Sequence, residues 1–305
     1  MDKYLANLAT ESINENTKGI DLCSTKEMVE LINREDQTVA IAVAEESKVI
    51  AKAVDEIYIR LQNGGRLIYL GAGTSGRLGV LDASECVPTF GVSPELVQGF
   101  IAGGDTALRT AVEGAEDSLN LGINQLEEIG FSNKDVLVGI TASGSANFVL
   151  SAVKYATGIG AFSIGLCTNK NSKLESLCDI CISPNVGAEV ILGSTRMKSG
   201  TAQKMVLNIL STCTMVKLGK VYDNLMVDLK ASNKKLEDRA IRLIIHATNV
   251  NTQQAKHALK EADGWVKLAI LMIKTSINAK TAKKILQNSN GHLATAILQA
   301  ENKEC

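Results

Sequence analysis

The sequence predicts an α/β protein whose parallel sheet is followed by a small, separate helical bundle. Short apolar runs rich in strand-forming residues alternate with helix-like stretches in the earlier part of the chain, which is typical of a parallel sheet. Over residues 235–299 the apolar positions keep a helical period, with breaks near Gly264 and Gly291 and no strand-like run. The 305 residues suffice for about two domains or one large α/β unit.

The predicted elements follow one another in a regular order. Between residues 26 and 61 the apolar positions recur at helical spacing, which predicts one or two helices that end at Gly64 and Gly65. Residues 66–70 form a short apolar run and are predicted to be the first strand. The later elements are four strands, at 96–101, 136–141, 161–167 and 179–182, and a helix at 197–218.

Composition excludes several classes of protein. Lysine and arginine total 32 against 33 acidic residues, so the net charge of −1 creates no field that would attract nucleic acid or an anionic membrane. The longest apolar stretches, such as residues 268–273, are far shorter than the roughly 20 residues that span a bilayer, and the N-terminus carries acids where a signal peptide is apolar. Seven cysteines without dense spacing favour reduced thiols. We therefore expect a cytoplasmic protein.

The most informative segment is the loop of residues 71–77, Gly-Ala-Gly-Thr-Ser-Gly-Arg, which follows the first predicted strand. Its small residues allow backbone N–H groups to approach an anion, its hydroxyl groups add donors, and the helix that follows favours negative charge. The loop lacks the Gly-Lys-Ser/Thr of a Walker motif, and we do not take it as a clean dinucleotide fingerprint. It is interpreted as a phosphate or sugar-phosphate site, with a tight turn that binds nothing as the alternative.

Two further hydroxyl-rich segments occur later in the chain. Residues 141–145, Thr-Ala-Ser-Gly-Ser, again lie after a predicted strand and before a helical run at 148–155. Loops at the carboxyl ends of parallel strands converge on the crevice where open α/β sheets bind ligands. Residues 193–201 precede the later helix and supply Arg196 and Lys198 as candidate anion partners. An N-capped helix start is the alternative interpretation of that third segment.

Catalysis at such a site needs an acid and a base in addition to anion-binding loops. Glu85 has apolar neighbours in the sequence, where desolvation would raise the pKa of its carboxyl group, and a solvated surface Glu is the alternative. Glu113, Glu116 and Asp117 have helical spacings of three and four and could project from one side of a helix. A solvated acidic face is the favoured interpretation of those three residues.

The remaining chemistry-bearing residues are expected to have structural roles. Cys178 and Cys181 form a Cys-x-x-Cys without further metal ligands nearby, so we expect them in the core rather than at a metal site. The three histidines are dispersed along helical segments and carry no catalytic pattern. Trp265 has apolar neighbours and is expected to pack within the C-terminal bundle.

Long strings of the sequence resemble one known family, the N-acetylmuramic acid 6-phosphate etherases. The strings, which include Ala-Val-Glu-Gly-Ala-Glu-Asp, are residues 10–14, 16–21, 64–85, 111–117, 193–204, 218–222 and 224–228. The resemblance covers nearly the whole chain. The resemblance implies a sugar isomerase (SIS) domain, which is a three-layer sandwich with a five-stranded parallel sheet and is usually a homodimer. It also implies an N-terminal helical segment at 1–62, the SIS domain at 63–230 and a helical C-terminal domain at 231–305.

The function implied by the resemblance is cleavage of the D-lactyl ether of N-acetylmuramic acid 6-phosphate in cell-wall sugar recycling, without a metal or organic cofactor. The implied mechanism removes the C2 proton of the ring-opened sugar, protonates the departing lactate and then adds water. By resemblance Glu85 is the proton donor and Glu116 the base. The implied substrate-binding residues are Gly73, Thr74, Ser75, Gly76, Arg77, Ser143, Gly144, Ser145, Asn147, Ser194 and Thr195.

One loop departs from the family pattern, and two other functions stay open. Residues 145–147 are Ser-Ala-Asn where many members have a threonine and a proline, so either Asn147 substitutes for the threonine hydroxyl or phosphate binds more weakly. The alternatives are a non-catalytic phosphosugar-binding regulator and an aldose–ketose phosphate isomerase. Retention of Glu85 and Glu116 argues against the regulator, and an isomerase would release no lactate.

Overall fold

The computed structural model of the protein describes residues 8–228 and 234–302, which fall into two compact units. The first unit contains the described residues up to Glu85 together with Pro94–Ser211. The second contains Cys86–Ser93 and the described residues from Thr212 onward. The boundary expected between residues 230 and 231 lies outside the described residues, so that domain limit stays a prediction.

Two helices precede the sheet, α1 (Thr25–Glu45) and α2 (Ser47–Gln62). Ser24 and Glu27 form a capping box at the start of α1, because each side chain accepts a hydrogen bond from the backbone N–H of the other residue. Three short 3₁₀ turns come before α1, at Ala9–Glu11, Glu15–Thr17 and Ile20–Leu22. The predicted helical region is therefore confirmed as two helices.

A five-stranded parallel sheet forms the centre of the first unit, with the strand order β2-β1-β3-β4-β5. The strands are β1 (Leu67–Gly71), β2 (Val97–Ile101), β3 (Val136–Ile140), β4 (Phe162–Leu166) and β5 (Ile180–Ile182). The accompanying helices are α3 (Gly73–Phe90), α4 (Gly104–Arg109), α5 (Leu121–Glu128), α6 (Asn147–Gly158) and α7 (Lys198–Lys217). The strand order reverses direction between β1 and β3, which is where ligands bind in open α/β sheets. All five predicted strands are confirmed.

Helices pack closely on both faces of the sheet. Gly139 of β3 faces α6, since a Cβ at this position would lie 2.7 Å from the Val153 side chain. On the opposite face Gly79 of α3 packs over Tyr69, where a Cβ would lie 3.0 Å from the tyrosine Cβ. Helices packed on both faces of the sheet give the predicted three layers. The close packing depends on Gly139 and Gly79, because neither position has room for a side chain.

The described part of the second unit contains the ends of α3 and α7, a small hairpin and the helices that follow it. The hairpin pairs β6 (Val221–Tyr222) with β7 (Leu225–Met226) and had not been predicted. The helices are α8 (Lys234–Thr248), α9 (Thr252–Glu261), α10 (Val266–Thr275), α11 (Ala279–Asn288) and α12 (Leu293–Glu301). The predicted breaks at Gly264 and Gly291 are confirmed, and both glycines have a φ of 78°. Within residues 8–228 and 234–302, no helix has the length and hydropathy needed to span a bilayer.

Candidate active site

The first loop is a sharp turn from β1 into α3. A Cβ on Gly71 would lie 2.8 Å from the Gly76 nitrogen, and a Cβ on Gly76 would lie 2.5 Å from the Gly71 oxygen, so both positions require glycine. Gly73 has a φ of 54° and begins the helix. The turn therefore directs the N-terminus of α3 toward the carboxyl edge of the sheet, where it favours an anion. The glycines do have the spacing Gly-x-Gly-x-x-Gly, so spacing alone does not separate this loop from a dinucleotide loop.

The two hydroxyl groups of the first loop have different surroundings. Thr74 is half-buried, whereas Ser75 is buried and its Oγ donates a hydrogen bond to Gln203 Oε1 of α7 at 2.8 Å. A serine hydroxyl has one proton, and Ser75 donates it to Gln203, so this hydrogen bond connects the first loop to α7.

The second loop follows β3 at the same edge of the sheet, since Gly71 and Ile140 are paired at the ends of β1 and β3. Ser143 Oγ and Ser145 Oγ lie 2.8 Å apart, and both side chains are half-buried. Gly144 has a φ of 71°, and a Cβ there would lie 2.4 Å from the Cβ of Ser172. The structure thus brings the two predicted loops together, with a pair of neighbouring hydroxyl groups between β3 and α6.

The third segment carries Ser194 and Thr195, which are half-buried just before α7. The buried carboxylate of Glu189 accepts hydrogen bonds from the backbone N–H groups of Lys198 and Ser199, at 2.9 Å each, and so caps α7. Glu189 was not predicted as a capping residue, because a cap nine residues before its helix has no local sequence signal.

Lys198 is not available as the predicted anion partner. Its Nζ donates to Glu35 Oε2 at 2.7 Å, and both side chains are more than nine-tenths buried. Glu35 also accepts hydrogen bonds from the side-chain amides of Asn14 at 2.8 Å and Asn16 at 3.0 Å. Burial alone would raise the pKa of Glu35, but the bonds from Lys198, Asn16 and Asn14 hold it below its usual value. Arg196, the other candidate cation, is exposed.

A cavity of about 230 Å³ opens beside the first loop and contains the predicted base. It is lined by Ala72, Gly73, Arg77, Ala102, Ala107 and residues 111–116, which include Glu113 and Glu116. Arg77 Nε donates to the Leu108 carbonyl oxygen at 3.1 Å, which fixes the guanidinium group in the wall of the cavity. The cavity therefore combines two carboxylates with one cationic group next to the helix start of α3.

The segment that carries Glu116 is not the helix that its spacing suggested. Gly114 has a φ of 73°, and only Ala115–Asp117 forms a single 3₁₀ turn. Glu113, Glu116 and Asp117 are all exposed, as the favoured interpretation expected. Asn147 Nδ2 donates to the Asp117 carbonyl oxygen at 3.3 Å, so the unusual asparagine connects this turn to the start of α6.

Glu85 lies away from this cavity in the single chain. It does not line the cavity, and it is eight positions after Arg77 on the same helix, which corresponds to about 12 Å along the axis. The side chain is exposed, so the apolar surroundings expected from its sequence neighbours are absent from the single chain. Within one chain, Glu85 therefore does not line the cavity that contains Glu116.

The described cysteines do not form a metal site. Cys178 and Cys181 are half-buried against the core of the first unit, and the six described cysteines are free thiols. Among residues 8–228 and 234–302, no cluster of three or more His, Cys, Asp or Glu side chains has a geometry that could hold a metal ion.

Comparison with known proteins identifies the family. A family model described as the SIS domain matches residues 130–212, and one described as the glucokinase regulatory protein N-terminal SIS domain matches residues 49–157. The N-acetylmuramic acid 6-phosphate etherase of Clostridium acetobutylicum is 55% identical over 274 residues, covering 90% of this chain and 91% of the relative. Those of Clostridium botulinum strain Langeland and Clostridioides difficile are 57% and 55% identical, covering 88% and 89% of this chain and 89% and 90% of the relatives. The chain therefore belongs to the N-acetylmuramic acid 6-phosphate etherase family.

Proposed function

We propose that this protein cleaves the ether of N-acetylmuramic acid 6-phosphate to give N-acetylglucosamine 6-phosphate and D-lactate, in the recycling of cell-wall sugars. The observation that carries the proposal is the identity of 55–57% to relatives named as etherases, over about nine-tenths of the chain. The cavity with Glu113, Glu116 and Arg77, next to the first hydroxyl-rich loop, supports the same reaction.

The chemistry of the substrate explains why two carboxyl groups are needed. An unactivated ether resists direct attack, but the C1 aldehyde of the open-chain sugar acidifies the proton on C2. In the proposed reaction Glu116 removes that proton, the C3–O bond breaks, and Glu85 protonates the lactate oxygen as it leaves. Water then adds across the C2–C3 double bond, placing a hydroxyl group on C3 and a proton on C2. Each proton transfer of this kind typically contributes ~10²–10⁴-fold.

The loops orient the substrate for this elimination. The hydroxyl groups of Ser143 and Ser145 and the backbone around Gly144 are proposed to hold the 6-phosphate, together with the first turn of α3. Arg77 then supplies a guanidinium group for the lactyl carboxylate, because the Leu108 carbonyl fixes it in the cavity wall. With the 6-phosphate and the lactyl carboxylate held at separate places, C2 and C3 of the sugar would be aligned with Glu116.

The assignment of the base is tested by a matched pair of variants in one cavity. Glu116→Gln is expected to lower D-lactate release by ~10²–10⁴-fold while it still binds the substrate. Glu113→Gln, which changes an exposed carboxylate in the same cavity, is expected to retain most of the activity. Loss of activity in the Glu113 variant alone would transfer the role of base to that residue.

We further propose that the protein acts in the cytoplasm as a homodimer and that each active site takes Glu85 from the partner subunit. The support is the position of Glu85 outside the cavity that contains Glu116, about 12 Å along α3 from Arg77 in the cavity wall. If Glu85→Gln and Glu116→Gln are each inactive, a hybrid dimer with one subunit of each variant has one site in which both glutamates are intact. After complete exchange half of the dimers are hybrids, so the mixture should regain about a quarter of the wild-type activity. No recovery in a mixture shown to contain hybrids would refute the shared site.

A further inference from the structure

A second and larger cavity, of about 670 Å³, lies entirely within the second unit. Its walls come from the turn between α9 and α10, the start of α10, one side of α11 and the residues that flank the β6–β7 hairpin. The reaction proposed above uses none of these residues. A concave site of this size is large enough for a small metabolite.

The wall of this cavity contains two ammonium groups that contact one carboxylate. Asp228 Oδ2 accepts Lys220 Nζ at 2.6 Å and Lys267 Nζ at 3.3 Å, so two ammonium groups share one carboxylate. The side chain of Lys267 is 6% exposed and that of Asp228 is 11% exposed. Because the buried Lys267 shares its counter-charge with Lys220, whose side chain is 24% exposed, an anion in the cavity would supply a second counter-charge.

The position of Lys267 at the start of a helix also favours an anion in the cavity. Lys267 is the second residue of α10, where the positive end of the helix dipole disfavours a cation. Burial lowers the pKa of Lys267 and Lys220 adds to the shift, whereas Asp228 opposes it. Lys280 and Lys283 of α11 line the same cavity and extend the positive surface to its rim.

The rest of the wall combines an aromatic ring with acidic side chains. Trp265, expected from the sequence to pack within the bundle, is instead 44% exposed at this cavity. Leu268 and Leu286 add apolar surface, while the exposed carboxylates of Glu261 and Asp263 also contribute to the lining. An indole face suits the C–H face of a sugar ring, and carboxylates accept hydrogen bonds from sugar hydroxyl groups.

We propose that this cavity binds a small sugar that carries a phosphate or a carboxylate. Lys220 and Lys267 hold the anionic group, Trp265 contacts the ring, and Glu261 and Asp263 accept hydrogen bonds from its hydroxyl groups. The site is distinct from the cavity that contains Glu116, and the proposal does not depend on the etherase reaction.

Tryptophan fluorescence tests this proposal directly, because Trp265 is the single tryptophan of the chain. The purified protein is titrated with glucose 6-phosphate, glucuronate, glucose and inorganic phosphate. We expect a saturable change in emission with at least one of the two charged sugars, and none with glucose at the same concentrations. The first two titrations distinguish a phosphate from a carboxylate as the recognised anion. No saturable change with either charged sugar, or an equal response to inorganic phosphate alone, would overturn the proposal.

Lys267→Met provides the matched variant, because it leaves the pair between Lys220 and Asp228 balanced. We expect it to weaken binding at least ~10-fold. It should also unfold at the same or a higher temperature than the wild type without ligand, and it should lose the thermal stabilisation that the charged sugar gives the wild type. Gly144→Ala, which crowds the second hydroxyl-rich loop of the candidate active site, should titrate like the wild type. A Lys267 variant that binds with wild-type affinity, or a lost signal in Gly144→Ala, would contradict the assigned site.

Discussion

Replacing Glu35 by glutamine should destabilise the first unit strongly, because it leaves a buried ammonium group without its counter-charge. The Lys198 side chain is 4% exposed and retains only the Ala188 carbonyl oxygen, at 3.1 Å. Removing one partner of a buried pair costs about 3–5 kcal/mol, and the glutamine oxygen can still accept one of the asparagine amides. We therefore expect a loss of about 3 kcal/mol, or about 6–12 °C in Tm.

The assay is thermal and urea unfolding followed by far-ultraviolet circular dichroism, with Glu30→Gln as the control. Glu30 is 56% exposed and pairs with Lys26 at 3.7 Å, so its replacement should change the stability by less than about 0.5 kcal/mol. Since the folded-state pKa of Glu35 is lowered, its stabilisation is present above about pH 4.5 and is lost as the pH falls through the folded pKa. The difference between wild type and Glu35→Gln should therefore shrink in acid.

The double variant Glu35→Gln/Lys198→Met decides between an ion pair and simple packing. Removing both charges should make the protein more stable than Glu35→Gln alone, since no unpaired charge stays buried. This explanation is refuted if the stability losses of Glu35→Gln and Lys198→Met simply add in the double variant. It is also refuted if Glu35→Gln is as stable as Glu30→Gln.

Two further substitutions test the turn of the second loop and the entry to the sheet. Gly144→Ala should cost at least ~1 kcal/mol and weaken phosphosugar binding more than ~10-fold, because a Cβ would lie 2.4 Å from Ser172. Scanning calorimetry measures the stability and titration calorimetry the binding. Gly130→Ala is the control in both, since that glycine has a φ of 61° with open space around it. Equal binding by the two variants would contradict a role of the second loop in phosphate binding. Asp135→Asn should cost about 2 kcal/mol, because Asp135 accepts hydrogen bonds from the Arg66 guanidinium group at 2.8 and 3.1 Å. Burial opposes the shift, but Arg66 lowers the pKa of Asp135. This cost should therefore be fully present above about pH 3.8 and be lost as the pH falls through the lower folded pKa. An unchanged difference in strong acid would contradict the pairing.

The order of strands and helices was predictable because each element carries its own local signal. Buried parallel strands are continuous apolar runs, and the glycines before α3 mark the turn that begins it. The β6–β7 hairpin escaped prediction, because two-residue strands are too short to show a period. The helix suggested for residues 113–117 failed because Gly114 adopts a positive φ, which reverses the chain within the acidic motif.

The site was predictable in its loops and less so in its long-range contacts. The carboxyl ends of β1 and β3 converge by topology, so the two hydroxyl-rich loops could be placed together from sequence alone. Lys198 looked like an anion partner because its counter-charge, Glu35, lies 163 residues earlier in the chain. The exposure of Trp265 could not be read from its apolar neighbours, since a turn between two helices points its side chain into a cavity.

The most direct test of the proposed reaction is to follow N-acetylmuramic acid 6-phosphate with the purified protein in water enriched in ¹⁸O. Elimination followed by hydration predicts release of unlabelled D-lactate and incorporation of ¹⁸O at C3 of the N-acetylglucosamine 6-phosphate, both read by mass spectrometry. Label in the lactate instead of the sugar would contradict the elimination mechanism, and binding of the substrate without any release of lactate would contradict the etherase activity itself.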